Sequence, residues 1–189
     1  LFRQSFVDRQ QTEAPDHWLK WGQESWLRRP DVHYDIPFGD FTARSTLYEI
    51  DVTGYQGKCG RLRLFDVDTA DERLIKSGIG FDAGEVARSL TLFLYPDDST
   101  EQGRLLRVYQ EYFMVANAAR LILDECVARG SDLHDLADYA AIQINDPHPT
   151  LVIPELIRLL QERGIGEDEA VSIVRDVCAY TNHTILAEA

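Results

Sequence analysis

The amino-acid sequence predicts an α/β fold, with a β-rich first half followed by alternating helices and parallel strands. Three observations carry that expectation. Arg61-Leu62-Arg63-Leu64 alternates charge and hydrocarbon with a period of two, as a strand with one covered face does. Leu105, Val108, Tyr109, Tyr112, Phe113, Ala116, Leu123 and Val127 recur at three and four residues, a spacing that a helix turns onto one side. From 138 to 180, short apolar runs alternate with helical stretches punctuated by Pro and Gly, the order of a parallel sheet covered by helices.

Residues 41–45, 48–52 and 61–67 read as β-stretches, and Gly54, Gly57 and Gly60 punctuate a turn between the last two. The segment 69–90 is mixed, with a short helix predicted over 83–90. Leu92-Phe93-Leu94-Tyr95 then closes against Pro96. The spacing predicts a long helix over 100–129. Ser99 with Gln102 has capping-box spacing at its start, and Gly130 stands where a C′ glycine would. The β-prone run at 138–144 is predicted to be a buried strand. A helix over 154–163 follows, with Pro154 as its first residue and Gly164 as its stop. Residues 167–176 form another helix, whose acidic first turn suits the helix dipole, and 177–180 form a last strand. No repeat or low-complexity segment is present. The expectation is one partial domain over 1–189, β-rich over 1–95 and α/β with polar loops over 96–189.

A chain of 189 residues can bury roughly 70% of its unfolded surface, so neither disulfides nor a structural metal are required. With 44% hydrophobic and 27% charged residues the composition is that of a soluble globular protein. A net charge of −13 argues against nucleic-acid binding, which needs clustered Lys and Arg. Cys59, Cys126 and Cys178 are far apart and lack metal-site spacing, so buried, reduced thiols and a cytoplasmic location are expected. No run approaches the ~18 apolar residues of a membrane span. The start, Leu1-Phe2-Arg3, is neither an initiator Met nor a signal peptide, and 185–189 stop in mid-pattern; both ends are expected to be cuts.

Three polar clusters follow β-like stretches: Tyr95-Pro96-Asp97-Asp98-Ser99, Asn145-Asp146-Pro147-His148-Pro149 and Thr181-Asn182-His183-Thr184. Ligands of open α/β sheets bind beyond the carboxyl ends of strands, and these side chains hydrogen-bond and stack on sugars. The same residue types also build ordinary turns. Ser99 suits a helix cap as well as a ligand contact. Asp146 and His148 suit a carboxylate–imidazole pair or two metal ligands, and His183 suits a structural loop histidine. No GxSxG, GxxxxGK[ST] or GxGxxG occurs. A glycosidase would need two carboxylates across the sugar bond, for which Asp98 and Asp146 are candidates. The three lysines, Lys20, Lys58 and Lys76, neighbour none of the clusters. Residue chemistry alone reaches an α/β segment with a sugar site among its readings.

Longer motifs carry a resemblance. Leu94-Tyr95-Pro96-Asp97-Asp98-Ser99 with Leu106-Arg107 and Gln110-Glu111-Tyr112-Phe113 resembles the active-site loop of α-glucan phosphorylases and the helix after it. Ile142-Gln143-Ile144-Asn145-Asp146-Pro147-His148-Pro149 is similar to the family's Asn-Asp-Thr-His-Pro block, and Ala179-Tyr180-Thr181-Asn182-His183-Thr184 to the block after it. Leu1-Phe2-Arg3-Gln4-Ser5-Phe6 and Pro15-Asp16-His17-Trp18-Leu19 fit the segment upstream, so the motifs run in family order along the whole chain.

The resemblance implies part of the N-terminal domain of a glycosyltransferase B-type fold. It also implies phosphorolysis of a terminal α-1,4-glucosyl unit to glucose 1-phosphate with retention, assisted by pyridoxal 5′-phosphate. His183 matches the catalytic histidine, whose side chain bonds the glucosyl 6-hydroxyl and whose carbonyl faces the developing oxocarbenium ion. Ser99 matches a position, often Asn, that contacts the glucosyl ring. Asp98 and Arg107 match the gating loop, and Tyr95, Asp146 and His148 match the acceptor-sugar subsites. Ser99, Pro147 and Ala187 depart from the familiar Asn, Thr and Pro. The family's glycine-rich loop, cofactor lysine and phosphate-binding residues have no match here. The chain alone is therefore expected to bind no pyridoxal phosphate and to be inactive. The expected partners are α-1,4-glucan and phosphate in the full-length enzyme, with a homo-oligomer and no membrane. Residues 74–90 correspond to a dimer-contact helix and are short. The alternative is a non-catalytic glucan-binding or subunit-interaction module sharing the fold.

Overall fold

A computed structural model describes residues 2–15, 27–38, 41–69, 90–91 and 99–183. Of the helix expected over 83–90 only Leu90 is described, helical and buried like Thr91 after it; the run at 92–95 lies outside the described residues. The chain divides into two compact units, Leu1–Gln110 and Glu111–Ala189.

The first unit is antiparallel. Strands β1 (Phe2–Val7) and β2 (Gln10–Pro15) form a hairpin. Strands β3 (Leu27–Phe38), β4 (Phe41–Thr53) and β5 (Cys59–Thr69) form a sheet in that order. Strands β1 to β3 carry no alternation that announces them. In β3, Pro30 falls where the register slips between Arg29 and His33, a place where its missing N–H costs the ladder nothing. The two stretches expected at 41–45 and 48–52 are one strand. The strand expected at 61–67 is present, but its leucine face is not covered: Leu62 is exposed and Leu64 half-buried, like Arg63, which stands opposite Glu49 and whose Nε donates to the Glu49 carboxylate at 2.9 Å. Arg29 reaches the other Glu49 oxygen at 3.0 Å, so this buried carboxylate is neutralised by its neighbours on the same sheet face. Cys59, expected to be buried, is exposed at the start of β5, where the strand leaves its turn; Cys126 is buried and Cys178 half-buried.

Helix α1 (Glu101–Ala128) begins in the first unit and continues into the second. Its cap is Thr100, not Ser99. Thr100 immediately precedes the first helical residue, so its Oγ1 accepts the Gly103 N–H, at the third helical position, at 3.0 Å. At the other end Gly130, at φ +109°, closes a Schellman motif. Ser131 N–H donates to the Cys126 carbonyl and Gly130 N–H to that of Val127, both at 3.0 Å. The expected face is buried in part: Phe113, Ala116 and Leu123 are buried and Tyr109 and Tyr112 half-buried, whereas Leu105, Val108 and Val127 are exposed. Leu106, Gln110, Phe113 and Asn117 form one buried stripe, and Ala116, Ala119, Leu123 and Cys126 a second.

After a 3-10 turn at Leu136–Asp138 come β6 (Ile142–Asn145), α2 (Val152–Glu162), α3 (Glu167–Val177) and β7 (Cys178–Thr181). The strand expected over 138–144 is thus shorter and later, because 136–138 are taken into the 3-10 turn. Pro154 is the third residue of α2, not the first, still inside the turn whose N–H groups have no helical acceptor. Gly164, at φ +92°, ends α2 as Gly130 ends α1, with Ile165 N–H on the Leu160 carbonyl at 3.1 Å. Strands β6 and β7 pair in parallel, from Ile142 opposite Cys178 to Asn145 opposite Thr181. Beneath them Leu123, Ile144, Leu156, Leu160, Ile173 and Val174 belong to one buried cluster. The mixed strand-and-helix character read from the sequence is present.

Two substitutions probe these helix ends. Gly164→Ala places a Cβ in the left-handed region, and Thr100→Ala deletes the cap. Each is expected to lower stability by about 1 kcal/mol, read as a fall in the urea midpoint at unchanged m.

Candidate functional site

Parallel pairing delivers the ends of β6 and β7 side by side, and the polar residues that follow are stitched together there. Asp146 N–H donates to the Thr181 carbonyl at 2.8 Å, extending the ladder one residue beyond β6. Asp146 itself lies at φ +70°, a left-handed conformation that Asp tolerates better than most residues, and this swings the chain out into the 147–151 loop. Its carboxylate Oδ1 accepts the main-chain N–H of His183 at 3.0 Å. The His183 ring meets the strand as well, with Nε2 2.6 Å from Asn145 Oδ1. One rung back, Gln143 Nε2 donates to Thr181 Oγ1 at 2.8 Å. Asn145, Thr181 and His183 are exposed and Asp146 half-buried, so the clasp faces solvent and is open to a ligand.

His148 stands two residues past Asp146, half-buried, on a loop folded by its own turn. The Pro147 carbonyl accepts both the N–H and the Oγ1 of Thr150, at 3.0 and 2.6 Å. Below this loop the first turn of α2 sends Glu155 into the protein. The Glu155 carboxylate is buried between Arg120 of α1, at 2.7 Å, and Arg158, which binds both oxygens at 2.8 Å. Burial pushes the Glu155 carboxyl up, but the hydrogen bonds from Arg158 and Arg120 outweigh it and the net shift is downward. Tyr112, whose hydroxyl faces the same carboxylate at 3.5 Å, is pushed up by its burial and then by that charge. The cluster ties the start of α2, and with it the end of the polar loop, to α1.

Of the residues singled out in the sequence, Asp146, His148 and His183 belong to the second unit, and the structure bonds Asp146 to His183. Ser99, exposed just ahead of α1, and Arg107, half-buried within it, belong to the first unit. Tyr95 and Asp98 lie outside the described residues. Asn145 belongs to one of the polar clusters but carries no role there, and Arg120, Glu155 and Arg158 are absent from the sequence-based site. The Glu155–Arg158 spacing of three on a helix was a usable signal. Arg120, 35 residues from Glu155, gave none.

Among the described residues no group of three His, Cys, Asp or Glu side chains converges as metal ligands, so the two-ligand reading of Asp146 and His148 gains no third donor. Pyridoxal phosphate needs a lysine for its imine. Lys58, the one described lysine, is exposed on the turn between β4 and β5, whereas an imine-forming amine is activated in a desolvated pocket. The described residues do not fit that cofactor. Among them, too, no helix is long and apolar enough to cross a membrane.

The buried carboxylate gives stability a defined pH dependence. The folded-state value of Glu155 lies below its ordinary 4.5, so its contribution is present above about pH 4.5 and is lost as pH falls through the folded value. Glu155→Ala is expected to cost about 3 kcal/mol at neutral pH, because it leaves Arg120 and Arg158 facing a void. In urea titrations the gap to the wild type should narrow as the pH drops below that window.

A model of the carbohydrate phosphorylase family matches residues 1–189. The chain is 60% identical over 190 positions to maltodextrin phosphorylase of Streptococcus pneumoniae, covering all of this chain and 25% of that protein. It is 33% identical over 214 positions to glycogen phosphorylase of Haemophilus influenzae, and 33% over 218 to the H isozyme of alpha-glucan phosphorylase of Solanum tuberosum; each time it covers 26% of the relative. The chain thus spans about a quarter of the length of these relatives. The two longer alignments exceed its 189 residues, so those relatives hold residues that it lacks. With the family match running from its first residue to its last, this chain belongs to the carbohydrate phosphorylase family.

Proposed function

We propose that the whole protein is an α-1,4-glucan phosphorylase and that this chain supplies part of its sugar site. The observation that carries the reading is the clasp on His183, gripped through its main-chain N–H by Asp146 and through its ring by Asn145 at the ends of two parallel strands. A site that must place one imidazole and one peptide carbonyl against a sugar needs both held before the sugar arrives. Asp146 fixes the peptide. The carbonyl dipole of His183 then gains interaction only as positive charge develops on the anomeric centre, which lowers the barrier without tightening ground-state binding. The ring bonds the 6-hydroxyl of the glucosyl unit. Asp146 and His148 offer directional bonds to acceptor-sugar hydroxyls, and Tyr95 an apolar face. Ser99, Asp98 and Arg107 contribute the remaining ring and gating contacts.

In this reading the chain is part of one N-terminal domain of glycosyltransferase B type. Pyridoxal phosphate and the substrate phosphate are held by residues outside it, so it is inactive alone. The parent works in the cytoplasm as a homo-oligomer. The 60% identity to a maltodextrin phosphorylase, against 33% to glycogen phosphorylases, favours short maltodextrins as the glucan.

Phosphorolysis of maltoheptaose by the enzyme from the parent reading frame, followed as glucose 1-phosphate released, checks the proposal. Asp146→Ala is expected to lower kcat/KM roughly 100-fold, as loss of a positioning contact does. Asp146→Asn keeps an acceptor oxygen and tolerates the left-handed backbone, and should lose roughly tenfold or less. A parent protein that binds maltoheptaose yet releases no glucose 1-phosphate would establish a non-catalytic glucan-binding module instead.

A further inference from the structure

We propose that Asn145 is a positioning residue, which holds the His183 imidazole in its Nε2–H tautomer and so presents Nδ1 as an acceptor toward a sugar hydroxyl. The reading that His183 contacts the sugar comes from the proposed function; the tautomer argument stands on geometry. Asn145 Oδ1 lies 2.6 Å from Nε2, and a carboxamide oxygen can only accept, so Nε2 carries the proton and donates it. A neutral imidazole holds one ring proton. With Nε2 protonated, Nδ1 is left with a lone pair, and the ring can take a hydrogen bond from an O–H there.

The rest of the clasp keeps this contact in place. Asn145 is the last residue of β6, opposite Thr181 in the parallel register, so its side chain is held two residues from His183 along the neighbouring strand. Gln143 on the same strand bonds Thr181 Oγ1, which anchors the residue between the ladder and the histidine loop. Asp146 is the charged group bonded to His183, and it takes the main-chain N–H rather than a ring nitrogen. The two neighbours divide the task, Asp146 fixing where the residue sits and Asn145 which way its ring is protonated. Asn145 is exposed and contributes nothing to the buried cluster beneath the sheet, so replacing it leaves the core intact.

Nitrogen-15 spectra of the histidine rings in the full 189-residue chain, taken at about pH 8 where an ordinary imidazole is neutral, read the tautomer directly. His183→Gln identifies the His183 signals. The expected result is a single Nε2–H form in the wild type and a mixture of both tautomers in Asn145→Ala. Asn145→Asp, which keeps an oxygen acceptor at the same reach, should restore the single form. An Nδ1–H form or a mixture in the wild type would overturn the proposal. So would loss of the single form in Asn145→Asp, since it would show the amide NH2 facing the ring. In the whole enzyme Asn145→Ala should lower kcat/KM roughly fivefold to tenfold, the loss of one hydrogen bond, and Asn145→Asp should recover it. A changed tautomer with unchanged kcat/KM would sink the ring-to-sugar contact while the ring spectra still confirm the lock.

Discussion

Strands β6 and β7 run in the same direction, and a chain cannot make neighbours of two such strands without travelling the length of the sheet between them. Helices α2 and α3 are that return journey. The pairing therefore requires a crossover between Asn145 and Cys178, here made of two helices, and brings both strands to finish at one edge. Everything assembled there follows from this. Asp146 can extend the ladder onto Thr181, and His183 can reach back to Asn145, only because the two carboxyl ends coincide. An antiparallel pair would have put the loop after one strand beside the start of the other.

The apolar cluster under the sheet covers the inner face of this unit, and Ile144 is buried in it, with Ile142 and Cys178 packed against it. Its neighbours Gln143 and Asn145 point the other way, which is why the period of two that buries Ile144 also lines the outer face with amides. The polar loop after β6 could drift on its own turns, but the first turn of α2 is pinned by the Glu155 carboxylate between two guanidiniums. Such a pair adds little net stability over a well-packed hydrocarbon core, and its directional bonds fix one arrangement of α1 against α2. The loop that carries His148 is thereby held between a strand end and a helix start, both anchored.

Local grammar was readable and long-range geometry was not. Gly130 and Gly164 announced two helix ends, and the three-and-four spacing announced α1 within a residue at each end. The same spacing picked Phe113, Ala116 and Leu123 correctly but misplaced the first turns of α1, since Leu105 and Val108 fit the pattern as well as Leu106 does and only packing decides between them. Strand β3 escaped because Pro30 and its charges break the alternation, although tertiary pairing tolerates both. At the site, residue chemistry stopped at polar clusters beyond strands, and the ordered motifs named the family. Neither could join Asn145 to His183, 38 residues apart, because that contact exists only once the parallel register is set.

The left-handed backbone at Asp146 constrains what evolution can do with that position. A replacement there must accept a positive φ and also offer an oxygen to the His183 N–H. Glycine meets the first demand and glutamate the second. Asparagine alone shares both traits with aspartate. Invariance of this residue across relatives would thus be produced by the turn itself, before any ligand exerts selection. Retention of Asp146 would therefore report the demands of the backbone first, and a sugar contact only in addition to them.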